Sequence, residues 1–177
     1  MLNPLVDTRD VKFVLFELLE AQKMTEYSAF ADFDLDTFEA TIDLAEQMAV
    51  EVFYPTAEEG DKIGAKWDPV TKEVKIPEIF KPALDKFYEA GFMGLTDSPE
   101  HGGTGMPNMV GAAVNEYVCA ANYSLGMYPG LSHGAMELIY AFGTEEQKKL
   151  YADKIMTGEW GGTMCLTEPD AGSDVGN

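Results

Sequence analysis

Hydrophobic positions recur every three to four residues along most of this chain, the period of a helix that buries one face. Val11, Val14, Leu15, Leu18 and Leu19 place one such stripe on residues 8–22. Phe38, Ile42, Ala45, Ala49 and Val52 mark a second, running from the start signal Asp36-x-x-Glu39 to about Tyr54, where Pro55 is expected to end it. Residues 56–76 lose the pattern and carry Gly60, Gly64 and Asp68-Pro69, so they read as a loop with a small hairpin at 71–76. Pro77 suits the first turn of a third helix, on which Ile79, Phe80, Ala83, Leu84, Phe87 and Tyr88 share a face and which Gly91 closes. A glycine-rich loop follows from Gly94 to Gly105. Between residues 101 and 140 only Glu116 and Glu137 carry formal charge, so helices near 107–122 and 130–141 are expected to be largely buried. Thr144-Glu145-Glu146-Gln147 is a capping-box pattern that opens a sixth helix to about 156, and Thr157-Gly158 breaks it. Residues 160–167 then read as extended.

Helices followed by one strand make an odd ending, because a lone strand cannot satisfy its backbone without partners. The expected fold class is therefore all-α, a multi-helix N-terminal domain that ends in the first strand of an absent β-domain. The expected division is an N-terminal helical extension over 1–35, a helical domain over 36–158, and the start of a β-domain over 159–177. The chain shows neither an internal repeat nor a low-complexity segment.

Charge narrows the function classes. Thirty-one acidic residues against twelve basic ones give 177 residues a formal charge of −19. Nucleic acid selects basic surfaces, so it is not an expected partner. Anionic membrane surfaces are disfavoured on the same ground. No stretch of about 18 apolar residues is present, so no membrane span is expected. The N-terminus lacks a basic n-region and a long apolar run, and it lacks the Arg/Ser-rich character of a transit peptide. The expected location is cytoplasmic. Cys119 and Cys165 are too few for a disulfide framework. Without CxxC spacing, and with two histidines in the chain, a Cys/His metal site is not expected.

The richest chemistry lies in residues 165–177, Cys-Leu-Thr-Glu-Pro-Asp-Ala-Gly-Ser-Asp-Val-Gly-Asn. An apolar run leads into Thr167-Glu168-Pro169 and a turn of small residues. Pro169 fixes its own φ, lacks an N–H, and pushes Glu168 toward an extended conformation. Gly172 can take a positive φ, which would leave backbone N–H groups facing one way. Such a turn suits a flat, polar, phosphate-bearing ligand. Three acids, Glu168, Asp170 and Asp174, surround it, and neither Lys nor Arg follows Lys154. Counter-charges for a pyrophosphate must then come from other sequence or another subunit. Elsewhere, His133 between two buried helices reads as a hydrogen-bonded core or loop histidine rather than a catalytic one. Gly102-Gly103-Thr104-Gly105 is not a dinucleotide fingerprint, since no suitably spaced strand precedes it. It reads as a turn, with a place at a substrate mouth as the functional alternative. Met93, Met106, Met109, Met127 and Met136 read as adaptable core before they read as a pocket lining, and Cys119 as a small buried hydrophobe.

The Thr-Glu-Pro-x-Ala-Gly-Ser-Asp string at 167–174 resembles the first signature of the acyl-CoA dehydrogenases, flavoenzymes that desaturate acyl thioesters. Upstream, Phe142-Gly143-Thr144-Glu145-Glu146-Gln147-Lys148 is similar to that family's Tyr-Gly-Thr-Glu-Glu-Gln-Lys segment, and Gly158-Glu159-Trp160 to its Ser-Gly-Glu-x. Gly91-Phe92-Met93-Gly94-Leu95 with Pro99-Glu100-His101-Gly102-Gly103 resembles its Gly-Leu…Pro-Glu-x-x-Gly-Gly loop. The likeness covers about residues 36–177. The segment from Asn3-Pro4-Leu5 to Phe13-Val14-Leu15-Phe16-Glu17 resembles the extension of a larger subgroup that includes the methylthiopropionyl-CoA dehydrogenases. Asn177 and Asp170 depart from the signature, where small residues are usual.

The resemblance implies FAD as cofactor. Met164, Cys165, Leu166 and Thr167 would then meet the polar edge of the isoalloxazine, and Gly172 and Ser173 its pyrophosphate, with Ser173 also bordering an acyl-CoA substrate. It also implies an oxidoreductase of fatty-acid metabolism that acts on acyl-CoA, hands electrons to an electron-transfer flavoprotein, and forms homo-oligomers. In that family a glutamate from a later helical domain takes the α-proton while flavin N5 takes hydride from the β-carbon. No glutamate here matches that base, so no catalytic residue is assigned, and the isolated piece is expected to be inactive. An acyl-CoA oxidase, or a helical interaction module without cofactor, are the alternative readings.

Overall fold

The computed structural model describes residues 3–176. It is mainly helical, 64% by residue, with two short strands among the described residues. The chain forms two compact units that divide between Met127 and Tyr128. The terminal Asn177 lies outside the described residues.

The first unit opens with α1, Thr8–Lys12, whose N-terminus is capped by Asp7 accepting from the Arg9 N–H at 3.0 Å. The predicted helix over 8–22 stops early. It widens into π-helical turns over Phe13–Leu18, and Glu20 then takes a left-handed conformation (φ 51°) before a 3-10 stretch at Ala21–Glu26. The apolar spacing that suggested one straight helix is shared between these turns. The N-terminal segment is tied down by polar contacts. The Tyr117 hydroxyl donates to Thr8 Oγ1 at 2.8 Å, and Asn3 Nδ2 donates to Glu46 Oε1 at 2.9 Å. Burial pushes the Tyr117 phenol above its ordinary pKa, which keeps this donor protonated.

Helix α2, Leu35–Met48, starts just ahead of the expected signal. Asp34 caps it, accepting from the Thr37 N–H at 2.8 Å, and the bond from the Thr37 hydroxyl together with this one holds its carboxyl below the usual range. Phe38, Ile42 and Ala45 are buried along one face as the periodicity requires. Pro55 does not end the helical course. Residues Ala49–Phe53 make π-helical turns, Tyr54–Thr56 make a 3-10 turn with Pro55 near its start, and α3 follows over Ala57–Ile63. Proline lacks only an N–H that a helix start leaves unpaired, so it begins a new helix here as easily as it ends one. The loop expected from residue 56 thus begins after Gly64, which has φ 62°. The hairpin is wider than predicted, pairing β1, Lys66–Trp67, antiparallel with β2, Val74–Lys75.

Helix α4, Phe80–Glu89, buries Phe80, Ala83 and Phe87, and Gly91 closes it at φ 73°. Its Phe87 ring meets Phe92 edge-on at 5.8 Å and Phe53 of the α2 extension at 6.4 Å. Phe80 packs so close to Gly60 of α3 that a Cβ there would lie 2.2 Å from the ring.

The helical run α5, Asn108–Phe142, holds two helices joined across a kink where two were predicted, and the second starts earlier than expected. Its break falls at Asn122 (φ −160°, ψ 93°), and residues 123–129 are helical, with Pro129 inside the helix. Asn122 is buried and works as an internal cap. Its Oδ1 accepts from the Leu125 N–H at 3.0 Å while its Nδ2 donates to Thr56 Oγ1 at 2.8 Å. Thr56 in turn donates to the Phe53 carbonyl at 2.6 Å. Low formal charge overstated burial along α5. Val110, Val114, Tyr117 and Leu125 are buried, but Tyr123, Leu138 and Phe142 are exposed.

The second unit holds residues 128–142 of α5 and then the predicted capping box. Thr144 Oγ1 accepts from the Gln147 N–H at 3.2 Å, and Gln147 Oε1 accepts from the Thr144 N–H at 2.8 Å. The helix it opens runs as α6, Glu145–Gln147, π-helical turns Lys148–Ala152, and α7, Asp153–Met156. Gly158 breaks it at φ 77°.

Candidate functional site

The segment after Gly158 is set onto the second unit by two local devices. The Trp160 N–H donates to the Lys154 carbonyl at 3.1 Å, and the Lys154 ammonium lies 4.4 Å from the centre of the Trp160 ring. Tyr151 flanks the same ring at 5.8 Å. Two residues on, the Gly162 N–H donates to Ser132 Oγ at 3.0 Å, and the Ser132 hydroxyl, buried on α5, donates to the Tyr128 carbonyl at 2.7 Å. Gly162 lies so close to α5 that an added Cβ would sit 2.5 Å from Ala135 Cβ and 3.2 Å from Ser132 Cα. Sequence reasoning singled out neither Ser132 nor Gly162. The available signal was the Gly161-Gly162 pair at the mouth of an extended run, where close backbone approach is a standard reason for glycine.

Beyond this anchor the chain lies open. Residues 163–170 are all exposed. Among the described residues, none of the N–H groups of residues 163–167 donates within the protein, and no ladder forms over 161–167. Met164, Cys165, Leu166 and Thr167 therefore sit together on one exposed run, as their adjacency requires. The turn then closes tightly. The Glu168 N–H donates to the Ala171 carbonyl at 2.8 Å, and the Glu168 carbonyl accepts the reverse bond from the Ala171 N–H at 3.3 Å, with Pro169 and Asp170 at the corner. Gly172 is not among the positive-φ glycines, so the positive φ expected of it is not used. The Pro169-Asp170 corner makes the turn instead. Ser173 is exposed just after it, and no hydrogen bond among the described residues engages the hydroxyl of either Thr167 or Ser173.

The other candidates resolve differently. In the glycine-rich loop the N–H groups of Gly102, Gly103, Thr104, Gly105 and Met106 all donate to carbonyls of residues 94–99. Gly102 and Gly105 take φ 84° and 76°, and a Cβ at Gly103 would meet the Asp97 carbonyl at 2.2 Å. This is a self-satisfied turn with no N–H groups left to cradle a phosphate. Cys119 is half-buried rather than fully buried. Its thiol contacts Asn115 Oδ1 at 3.7 Å, and burial raises its pKa, which makes it a poor nucleophile. No helix among the described residues is long and apolar enough to cross a membrane.

Comparison with known proteins shows the family. Residues 36–159 match the family model described as acyl-CoA dehydrogenase, N-terminal domain. The chain is 36% identical over 167 residues to a 3-methylmercaptopropionyl-CoA dehydrogenase of Ruegeria pomeroyi, covering 94% of this chain and 28% of that protein. It is 38% identical over 170 residues to a broad-specificity linear acyl-CoA dehydrogenase of Mycobacterium tuberculosis, covering 96% of this chain and 28% of that one. Among solved structures it resembles the glutaryl-coenzyme A dehydrogenase glutaryl-CoA complex (TM-score 0.62, 26% identity, 81% of this chain and 34% of that chain). A structure of the electron transferring flavoprotein of Acidaminococcus fermentans matches as well (TM-score 0.63, 32% identity, 81% and 35%). The chain thus spans little more than a quarter of the length of the curated relatives, at 28%. It belongs to the acyl-CoA dehydrogenase family, with the N-terminal domain of that family over residues 36–159.

Proposed function

We propose that this chain is the N-terminal part of an FAD-dependent acyl-CoA dehydrogenase, an oxidoreductase that desaturates acyl-CoA thioesters. Residues 1–35 serve as a helical extension, 36–158 as the helical domain, and 159–177 as the start of the middle β-domain. The observation that carries this reading is the exposed run 163–167, with unspent backbone donors directly ahead of the Thr-Glu-Pro turn. An exposed segment with a row of unpaired N–H and C=O groups is a ready template for pairing with a ligand or another strand.

The residues present fit a flavin edge. The ring's polar rim needs alternating donors and acceptors, and the backbone of Cys165, Leu166 and Thr167 with the Thr167 hydroxyl supplies them. Met164 and Leu166 would give apolar cover to the ring system. Gly172 and Ser173, just past the corner, would hold the pyrophosphate, and Ser173 would also border the acyl-CoA. The pyrophosphate fits less well on local charge, because Glu168, Asp170 and Asp174 surround the turn and no Lys or Arg follows Lys154. Its counter-charges therefore come from outside residues 155–177. When bound, FAD supplies the hydride acceptor of the reaction. This chain's own part is to present an ordered rim against which the cofactor is held, with the Gly162–Ser132 bond fixing where that rim begins. No proton-transfer role falls to it. Electron-transfer flavoprotein is the proposed electron acceptor, a homo-oligomer the proposed assembly and the cytoplasm the proposed location.

Two substitutions in a protein of the relatives' full length test the reading. Thr167→Val removes a hydroxyl while nearly keeping volume, and the lost bond is worth about 0.5–1.5 kcal/mol. The expected result is weaker FAD retention or a shifted flavin spectrum, with the helical fold unchanged. Ser173→Ala is expected to weaken FAD retention or raise KM and leave the ring's spectrum alone. Wild-type flavin content, spectrum and kinetics in both variants would refute the assignment.

A further inference from the structure

Among the described residues, the backbone of the second unit is last bonded at Gly162, three residues before Cys165. The Trp160 N–H donates to the Lys154 carbonyl and the Gly162 N–H to Ser132 Oγ, and the next backbone pair is Glu168 with Ala171 at the turn. The two anchors differ in strength. At the first, Trp160 is 39% exposed, and the Lys154 side chain over its ring is 34% exposed and shared with Glu159 at 2.8 Å. Exposed contacts of this kind are weak and screened by salt. At the second, Ser132 is 3% exposed. Its one proton is committed to the Tyr128 carbonyl at 2.7 Å, so the hydroxyl turns a lone pair toward the Gly162 N–H. Removing that acceptor leaves a half-buried N–H without a partner, which costs more than the bond contributes.

The fit around Ser132 singles out residue 162. A Cβ on Gly161 would meet Ser132 Oγ at 3.6 Å, an ordinary contact, whereas one on Gly162 would lie 2.5 Å from Ala135 Cβ. Without the Ser132 bond, the last bonded backbone point moves back from residue 162 to residue 160. An extended chain covers about 3.3–3.6 Å per residue, so the loose length leading to Cys165 grows from about 10 Å to about 17 Å. Hydrogen bonds to a ring edge need donors and acceptors placed within a range of about 2.7–3.2 Å. We propose that Ser132 is a positioning residue for the flavin: without touching the cofactor, it fixes through the Gly162 N–H the place at which residues 165–167 meet the ring. This role rests on the flavin reading of that run and adds to it a buried residue of α5.

Ser132→Ala, Ser132→Cys and Gly161→Ala test it beside Thr167→Val, each in a protein of the relatives' full length that contains this chain. Each variant is checked for its fold by far-ultraviolet circular dichroism, titrated with FAD, and read by visible absorbance at full occupancy. Ser132→Ala is expected to bind FAD about threefold to tenfold more weakly and to shift the spectrum of the bound flavin. Ser132→Cys, whose sulfur is a weaker acceptor, is expected to fall between Ser132→Ala and the wild type. Gly161→Ala adds a methyl at ordinary contact distance and is expected to keep the wild-type spectrum. A serine that only supports the fold would lower thermal stability in Ser132→Ala and leave FAD affinity and the bound spectrum unchanged. That result, with Thr167→Val still altering the flavin, would overturn the role of Ser132 and leave the flavin reading standing. An equal spectral shift in Gly161→Ala would also overturn it, because packing rather than the hydroxyl would then set the segment. If Ser132→Ala and Thr167→Val both bind FAD as the wild type does, or if the wild type holds none, the role of Ser132 falls together with the flavin reading.

Discussion

An Asn122→Ala variant is expected to lose about 2–4 kcal/mol of folding stability. Two groups depend on this amide. The Leu125 N–H has no helical partner, because Asn122 interrupts α5, and it loses its acceptor at 3.0 Å. Thr56 Oγ1 loses its donor at 2.8 Å, in a place where both residues are buried. A cavity then remains between the 3-10 turn at Tyr54–Thr56 and the broken helix, with no water-facing route for the orphaned groups. Removing one partner of a buried pair costs more than the bond returns, since the other partner is left desolvated. Thr56→Val, which removes the hydroxyl and keeps the volume, is expected to cost less, because the cap to Leu125 survives. Denaturant unfolding of the three proteins under identical conditions measures both differences. A loss of less than about 0.5 kcal/mol for Asn122→Ala would mean that α5 is not held at this break.

Gly162→Ala is expected to release the start of the 163–173 segment from the second unit. The added methyl would lie 2.5 Å from Ala135 Cβ and 3.2 Å from the Ser132 backbone, and neither neighbour can turn away as a long side chain would. Relief requires the segment to move outward, which breaks the bond from the residue-162 N–H to Ser132 Oγ. Overpacking of this kind costs about 1–3 kcal/mol, so the residue-162 amide is expected to exchange with solvent roughly tenfold faster or more, at nearly unchanged global stability. Ser132→Ala separates the two causes, since it removes the acceptor without the clash and is expected to give a smaller acceleration. In a Trp67→Phe background, loss of the Lys154 and Tyr151 contacts would also shift Trp160 emission to the red. An unchanged exchange rate in Gly162→Ala would show that the close approach does not set where this segment begins.

The helical class was legible because Phe38, Ile42 and Ala45, or Phe80, Ala83 and Phe87, repeat at a spacing that only a one-sided helix explains. The capping box at Thr144 was legible because its two bonds are local and need no tertiary contact. Proline was misread. Pro55 sits at a 3-10 start where the helical course continues, and the sequence alone does not say which carbonyl its missing N–H would have served. A helix end near residue 122 was read from the sequence and the break falls there, but the part that Asn122 plays in it was hidden. An asparagine in an apolar stretch looks like a tolerated polar residue, and its capping role depends on Thr56, which is distant in sequence. The string at 167–174 was readable as chemistry, whereas its anchor was not. The Ser132–Gly162 bond joins residues thirty apart, and no periodicity reports such a contact. Gly172 shows the limit of residue-type reasoning, since glycine permits a positive φ and here the Pro169-Asp170 corner makes it unnecessary.

On the proposed reading, residues 163–173 form one rim of a flavin site that residues 1–177 do not complete, with counter-charges from outside residues 155–177. Flavin retention tests it most directly. The 177-residue chain and a protein of the relatives' full length that contains it are each incubated with excess FAD, freed of unbound cofactor by gel filtration, and read by visible absorbance. The expected result is a yellow full-length protein with stoichiometric flavin and a colourless short chain that keeps no measurable FAD. A short chain that emerges yellow with one flavin per molecule would contradict it, because residues 1–177 would then hold a complete cofactor site.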